Sequence, residues 1–161
     1  MKSLYYVVLA CLVFGCASTM PPAGPAPTIM DEADAIWILT EDTPEEAYRR
    51  IAQTLTDRGY SISDSDPVLQ NITTEPREQT ERVGDALVGG KMSLKINASV
   101  RKKEDTMIKL TAKYSTTGLY GTKDKEVINA GNNSSYTRRG WNELLKVAEA
   151  CGGTLMYSRN Y

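Results

Sequence analysis

Two stretches of strict apolar–polar alternation, nearly adjacent in the chain, limit what this sequence can become. In "MSLKINASV" Met92, Leu94, Ile96, Ala98 and Val100 alternate with polar neighbours, and in "MIKLTAKY" Ile108, Leu110, Ala112 and Tyr114 do the same. A period of two places every second side chain on one face of a strand. The charged segment "RKKEDT" (101–106) lies between them and reads as a hairpin turn region. The pair is therefore an antiparallel unit with one buried and one wet face, and it needs an apolar layer to cover it.

Two helices can supply that layer. In "TPEEAYRRIAQTLTDRGY" (43–60), Thr43 is placed to cap, Pro44 to open the helix and Glu46 to complete a capping box. Ala47, Ile51 and Leu55 recur every four residues, Tyr48 and Ala52 lie beside them, and Gly59 ends the helix. In "YTRRGWNELLKVAEACGG", Trp141, Leu144, Leu145, Ala148 and Cys151 share one face before Gly152-Gly153 stops the helix. "ADAIWILT" (33–40) reads as a first strand, "YSIS" and "VLQNITTE" as two short strands around Asp64-Ser65-Asp66-Pro67, and "TLMYSRNY" as a closing strand. Residues 76–90 and the Gly/Asn-rich 116–135 read as loops, the latter with a brief strand at Val127-Ile128. The expectation is an α+β two-layer sandwich: an antiparallel sheet of about four to five strands, with two helices on one face.

Composition narrows the chemistry. The chain of 161 residues has Lys+Arg 19 against Asp+Glu 20, a net charge of −1 that gives no general attraction to nucleic acid. It holds no histidine, which excludes histidine triads and histidine zinc sites. Gly118-Leu119-Tyr120-Gly121-Thr122-Lys123 and the stretch from Gly84 to Lys91 both miss the spacing of a phosphate loop. The pairs Glu45/Glu46 and Asp64/Asp66 suit a helix N-terminus and a turn, and the latter lacks the further oxygens of a calcium loop. Arg49-Arg50 and Arg138-Arg139 read as solvated faces, and Cys151 as a buried structural thiol. No catalytic constellation, metal site or cofactor is expected.

The N-terminal residues carry an address. Lys2 precedes an apolar run from Leu4 to Phe14, too short to span a bilayer at ~20 residues but suited to a signal-peptide core. Val13-Phe14-Gly15-Cys16 at its end resembles the lipobox of bacterial lipoproteins, with Phe14 departing from the usual choice at its position. The resemblance implies a signal peptide over 1–15 and a diacylglyceryl group on Cys16, whose acyl chains would hold the protein on a membrane at ~0.8 kcal/mol per buried CH₂. Ala17 in the next position would be compatible with the periplasmic face of the outer membrane in diderm bacteria. Residues 17–30, "ASTMPPAGPAPTIM", contain four prolines and no charge and read as a tether to a single domain over 31–161. The order of elements, together with the lipobox, resembles the helix-grip or TBP-like domains of some outer-membrane lipoproteins, including the BamC family.

These readings lead to a non-catalytic, lipid-anchored adaptor or accessory domain that binds another envelope protein. The alternative is a lipid or small-molecule carrier with an apolar groove between the C-terminal helix and the sheet. Tyrosines flanking the Gly/Asn-rich segment, with Tyr114, Tyr120 and Tyr136 foremost, are candidates for the partner surface.

Overall fold

A computed structural model describes residues 31–79, 91–118, 121–129 and 135–159. Cys16, the tether and Tyr120 lie outside the described residues. The elements run β1 (Ala35–Thr40), α1 (Pro44–Asp57), β2 (Ile62–Asp66), β3 (Asn71–Thr74), β4 (Arg77–Glu78), β5 (Lys91–Lys102), β6 (Thr106–Gly118), β7 (Gly121–Glu126), α2 (Ser135–Cys151) and β8 (Thr154–Ser158). Among the described residues the fold is α+β with an antiparallel sheet and two helices, but the sheet has eight strands in place of four to five.

The extra strands follow from the length of the central pair. β5 and β6 are 12 and 13 residues long and stay in register from Lys91↔Thr117 to Lys102↔Thr106. Each therefore has room for two partners along its outer edge. β5 pairs with β4 at Ser93 and Leu94 and with β3 from Asn97 to Ser99, while β6 pairs with β7 at one end and β1 at the other. Where β5 changes partner, the buried Thr74 hydroxyl accepts the Ile96 N–H at 3.0 Å, so that backbone donor is not left unmade. The main path of the sheet is β2-β3-β5-β6-β1-β8.

Several boundaries differ from the sequence reading. Asp64, Ser65 and Asp66 belong to β2, and the turn falls at 67–70, where Asp66 Oδ1 accepts the backbone N–H groups of Val68 and Leu69. β4 and β7 occupy segments expected to be loops, because each is held by backbone pairing to a long neighbour and neither has an apolar pattern to announce it. Val127-Ile128 lies past the end of β7, although Val127 itself is fully buried.

One face of the sheet is dry. Met92, Leu94, Ile96, Ala98 and Val100 of β5 and Ile108, Leu110, Ala112 and Tyr114 of β6 are all buried, with Ile36 and Ile38 of β1 beside them. Ala47, Ile51 and Leu55 of α1 and Trp141, Leu144, Val147, Ala148 and Cys151 of α2 join the same core. Leu145, expected on that face, is only partly buried. The capping box of α1 forms as read: Thr43 Oγ1 accepts from Glu46 N at 3.3 Å and Glu46 Oε2 accepts from Thr43 N at 3.0 Å. That backbone donor, with the Thr43 hydroxyl, holds the Glu46 carboxyl below its ordinary pKa.

Two glycines set how closely α2 and its exit approach the sheet. A Cβ on Gly140 would lie 2.7 Å from a methyl of Val127. Gly153, at φ +100°, would bring a Cβ to 2.5 Å from the Leu39 carbonyl oxygen, so the turn into β8 depends on having no side chain there. Replacing an interior helical glycine by alanine ordinarily gains ~0.5–1 kcal/mol. Gly140→Ala is expected to lose about 1–3 kcal/mol, the usual range for overpacking. Urea unfolding midpoints check this, and a Val127→Ala background should recover part of the loss.

Candidate interaction surface on the open sheet face

The other face of the sheet has no helix over it among the described residues, and one corner of it is not polar. Trp37 in β1 is aligned with Met156 of β8 on one side and Lys109 of β6 on the other. One row along, Leu39 is aligned with Thr154 and Met107, and Met107 with Arg101. Alternation with the buried Ile36, Ile38, Ile108 and Leu110 puts Trp37, Leu39, Met107 and Met156 on the open side. All four are at least partly exposed, Met156 at 40%.

The patch is orientationally fixed. Trp37 Nε1 donates to Ser158 Oγ at 2.8 Å, and Lys109 Nζ stands 5.4 Å from the Trp37 ring centroid, within cation–π range. Trp37 thus offers a stationary aromatic surface with cations at its margin, Lys109 beside it and the exposed Arg101 beyond Met107. Farther across the sheet the surface becomes polar: Thr73 Oγ1 donates to Asn97 Oδ1 at 3.1 Å. There Lys95 and Lys113 face each other across β5 and β6, with Glu126 4.0 Å from Lys113. Tryptophan, methionine and arginine are the types enriched where protein surfaces bind one another.

The tyrosine candidates divide. Tyr114 is 4% exposed, so its assignment to a partner surface is corrected: it is an inward residue of β6, and alternation buries it. Its ring stacks on Tyr136 at a centroid distance of 6.5 Å, and its hydroxyl accepts from Thr137 at 3.1 Å. Tyr136 is partly buried against the core at the start of α2. Tyr120 lies outside the described residues.

Two other places hold polar groups in close quarters. At the end of α1, Arg58 Nη2 donates to Glu143 Oε1 at 3.0 Å, and Arg77 donates to the Arg58 carbonyl while its guanidinium lies 4.9 Å from the Tyr60 ring centroid. This network joins α1, α2 and β4, with Glu143 also 3.7 Å from Lys146. Beside it an open groove of about 540 Å³ runs along the solvent side of α2, with Arg138, Lys146 and Glu149 among its charged walls. The space between α2 and the sheet is filled by Trp141, Leu144, Val147, Ala148 and Cys151, each no more than 3% exposed. Burial raises the Cys151 thiol pKa, opposed in part by the nearby Arg50 and Thr54. Among the described residues no group of three or more acidic or cysteine side chains is placed to hold a metal ion.

Sequence reasoning passed over the open-face patch, although a signal was present. In "AIWILT" both alternating sets are apolar, Ile36 and Ile38 in one and Trp37 and Leu39 in the other. A strand apolar on both sides has two faces to cover.

The polar network yields a pH test. Burial pushes the Tyr60 hydroxyl up to about 12, with Glu143 adding to the shift and Arg77 opposing it. The folded state therefore keeps a proton that the unfolded chain releases near pH 10. This contribution is whole below pH 10 and is lost as pH rises toward 12. Unfolding midpoints of the wild type should fall more steeply across that window than those of Tyr60→Phe.

No protein-family model matches this chain, and no curated protein matches it. Among solved structures, the chain is similar to a DUF4468 family protein from Bacteroides ovatus ATCC 8483, at 12% sequence identity and a TM-score of 0.45, covering 82% of this chain and 93% of that one.

Proposed function

We propose that this protein is a non-catalytic adaptor of the bacterial cell envelope, held to a membrane by acyl chains on Cys16 and carried on the 17–30 tether. We place it on the periplasmic face of the outer membrane. Its partner is another envelope protein, which docks on the open sheet face. The observation that carries this reading is the corner formed by Trp37, Leu39, Met107 and Met156, which is partly exposed in the isolated chain and bordered by Lys109 and Arg101. Excluding water from such a patch favours association at roughly 25 cal/mol per Å² of apolar surface before the costs of docking. The two cations favour an acidic margin on the partner. Adaptor function is preferred to lipid carriage because the layer between α2 and the sheet is filled with side chains, and the groove on α2's far side has charged walls.

The test is crosslinking in cells followed by identification of what is joined to the protein. Met107→Ser and Lys109→Glu should each lower recovery of the partner about tenfold, corresponding to about 1.4 kcal/mol, with thermal unfolding of the domain little changed. Cys16→Ser should remove the protein from the membrane fraction and abolish the same crosslinks. Unaltered recovery from both patch variants would exclude the open face.

A further inference from the structure

Every open sheet must manage its edges, because an exposed strand edge is a template for pairing with another chain. Most of the edges here are defended. β2, at one end of the sheet, carries Asp64 and Asp66, and its register with β3 shifts between Ile62 and Asp64. β7 has the sequence GTKDKE and is exposed along its whole length, and β4 is two residues long. β8, at the opposite end of the sheet, has none of these defences. Its five residues, TLMYS, include no charge, no proline and no glycine, and they hold an unbroken register against β1. Among the described residues no strand pairs with its other side. α2 packs mainly over β6 and β1, and its Trp141 reaches Tyr157 of β8 at a ring-centroid distance of 6.1 Å on the helix side, leaving the outer backbone of β8 uncovered by α2.

We infer that β8 is a self-pairing edge: two copies of this chain join antiparallel through β8 about a twofold axis at Met156. The strand is complementary to itself in that register. Thr154 meets Ser158, Leu155 meets Tyr157, and Met156 meets its own copy. Antiparallel pairing about a twofold axis normal to the sheet keeps each face on its own side, so the helix-side Leu155 and Tyr157 of one copy are aligned with Tyr157 and Leu155 of the other. This register pairs all five residues, and a shift by one would oppose residues of different faces. The contacts are favourable in kind: a hydroxyl–hydroxyl pair at each end and an aliphatic–aromatic pair on the helix side. The Ser158 hydroxyl accepts from Trp37 Nε1 and keeps its own proton to donate to Thr154 of the copy. On the open face the pairing lines up Trp37, Met156 and their symmetry mates in one continuous row. The inference goes beyond the adaptor reading and does not depend on it.

Register-specific disulfide trapping tests it, using the full chain in intact cells under mild oxidation. Residues paired across antiparallel strands have Cα atoms about 4.5–5.5 Å apart, within disulfide reach. Met156→Cys should therefore shift the protein to a dimer on a non-reducing gel. Thr154→Cys and Ser158→Cys should do so only when expressed together, since each alone is about 13 Å from its own copy at 3.3 Å per residue. Ser63→Cys on β2 serves as the exposed control. The parent chain should give no comparable band, and circular dichroism of the purified variants checks that each has folded. A Met156→Cys chain that reacts with an added thiol reagent but dimerises no more than Ser63→Cys would overturn the inference. So would a disulfide from position 156 to a different protein, which would mean that a partner's strand occupies the edge.

Discussion

The pairing of β5 with β6 is the constraint on which the rest of the molecule depends. Twelve residue pairs in unbroken register put Met92, Leu94, Ile96, Ala98 and Val100 on the same side as Ile108, Leu110, Ala112 and Tyr114. A slip of one residue in either strand would turn its whole apolar set to solvent and its lysines into the core. Both helices find their places against this surface, and so do the edge strands. The pair is longer than any single neighbour requires, so β4 and β3 share one side of it and β7 and β1 the other.

This arrangement spends both helices on one face. Nothing comparable covers the other face among the described residues, and most of it tolerates water because it carries Lys, Asn, Ser and Thr. The corner at β1, β6 and β8 does not fit that description. Trp37 there is braced by Ser158 and overlain by Lys109, an arrangement that orders a large aromatic ring while leaving part of it exposed. The unguarded edge of β8 borders the same corner. The adaptor role proposed above calls for surfaces that are fixed in shape and incompletely satisfied, and these two are contiguous. Their cost to the isolated chain is exposed apolar area, which association would cover.

What could be read from the sequence was whatever repeats with a period. The central strands, both helices, the capping box of α1 and the burial of Cys151 all follow from spacing and end signals. β4 and β7 could not be found that way: RE and GTKDKE contain no alternation, and backbone pairing to the overlong hairpin alone makes them strands. Tyr114 carries two conflicting signals: it flanks the Gly/Asn-rich segment, but its parity along β6 belongs to the core, and parity decides its burial. The open-face corner was partly legible in the doubly apolar run of β1. Its assembly from three strands distant in sequence was not, because register across Trp37, Lys109 and Met156 is a property of the folded sheet.

The proposed adaptor role requires the β1–β6–β8 corner to be covered when the protein is in its native setting. Hydroxyl-radical footprinting tests it most directly, since tryptophan and methionine side chains report their own solvent contact. Oxidation would be compared between the purified protein and the same chain in intact cell envelopes. Strong protection of Trp37 and Met107 in the envelope is expected, with Val68 and Leu69, exposed at the β2–β3 turn, reacting equally in both. Equal oxidation of Trp37 and Met107 in the two preparations, with protection confined to α2 or to the β2–β3 turn, would contradict it.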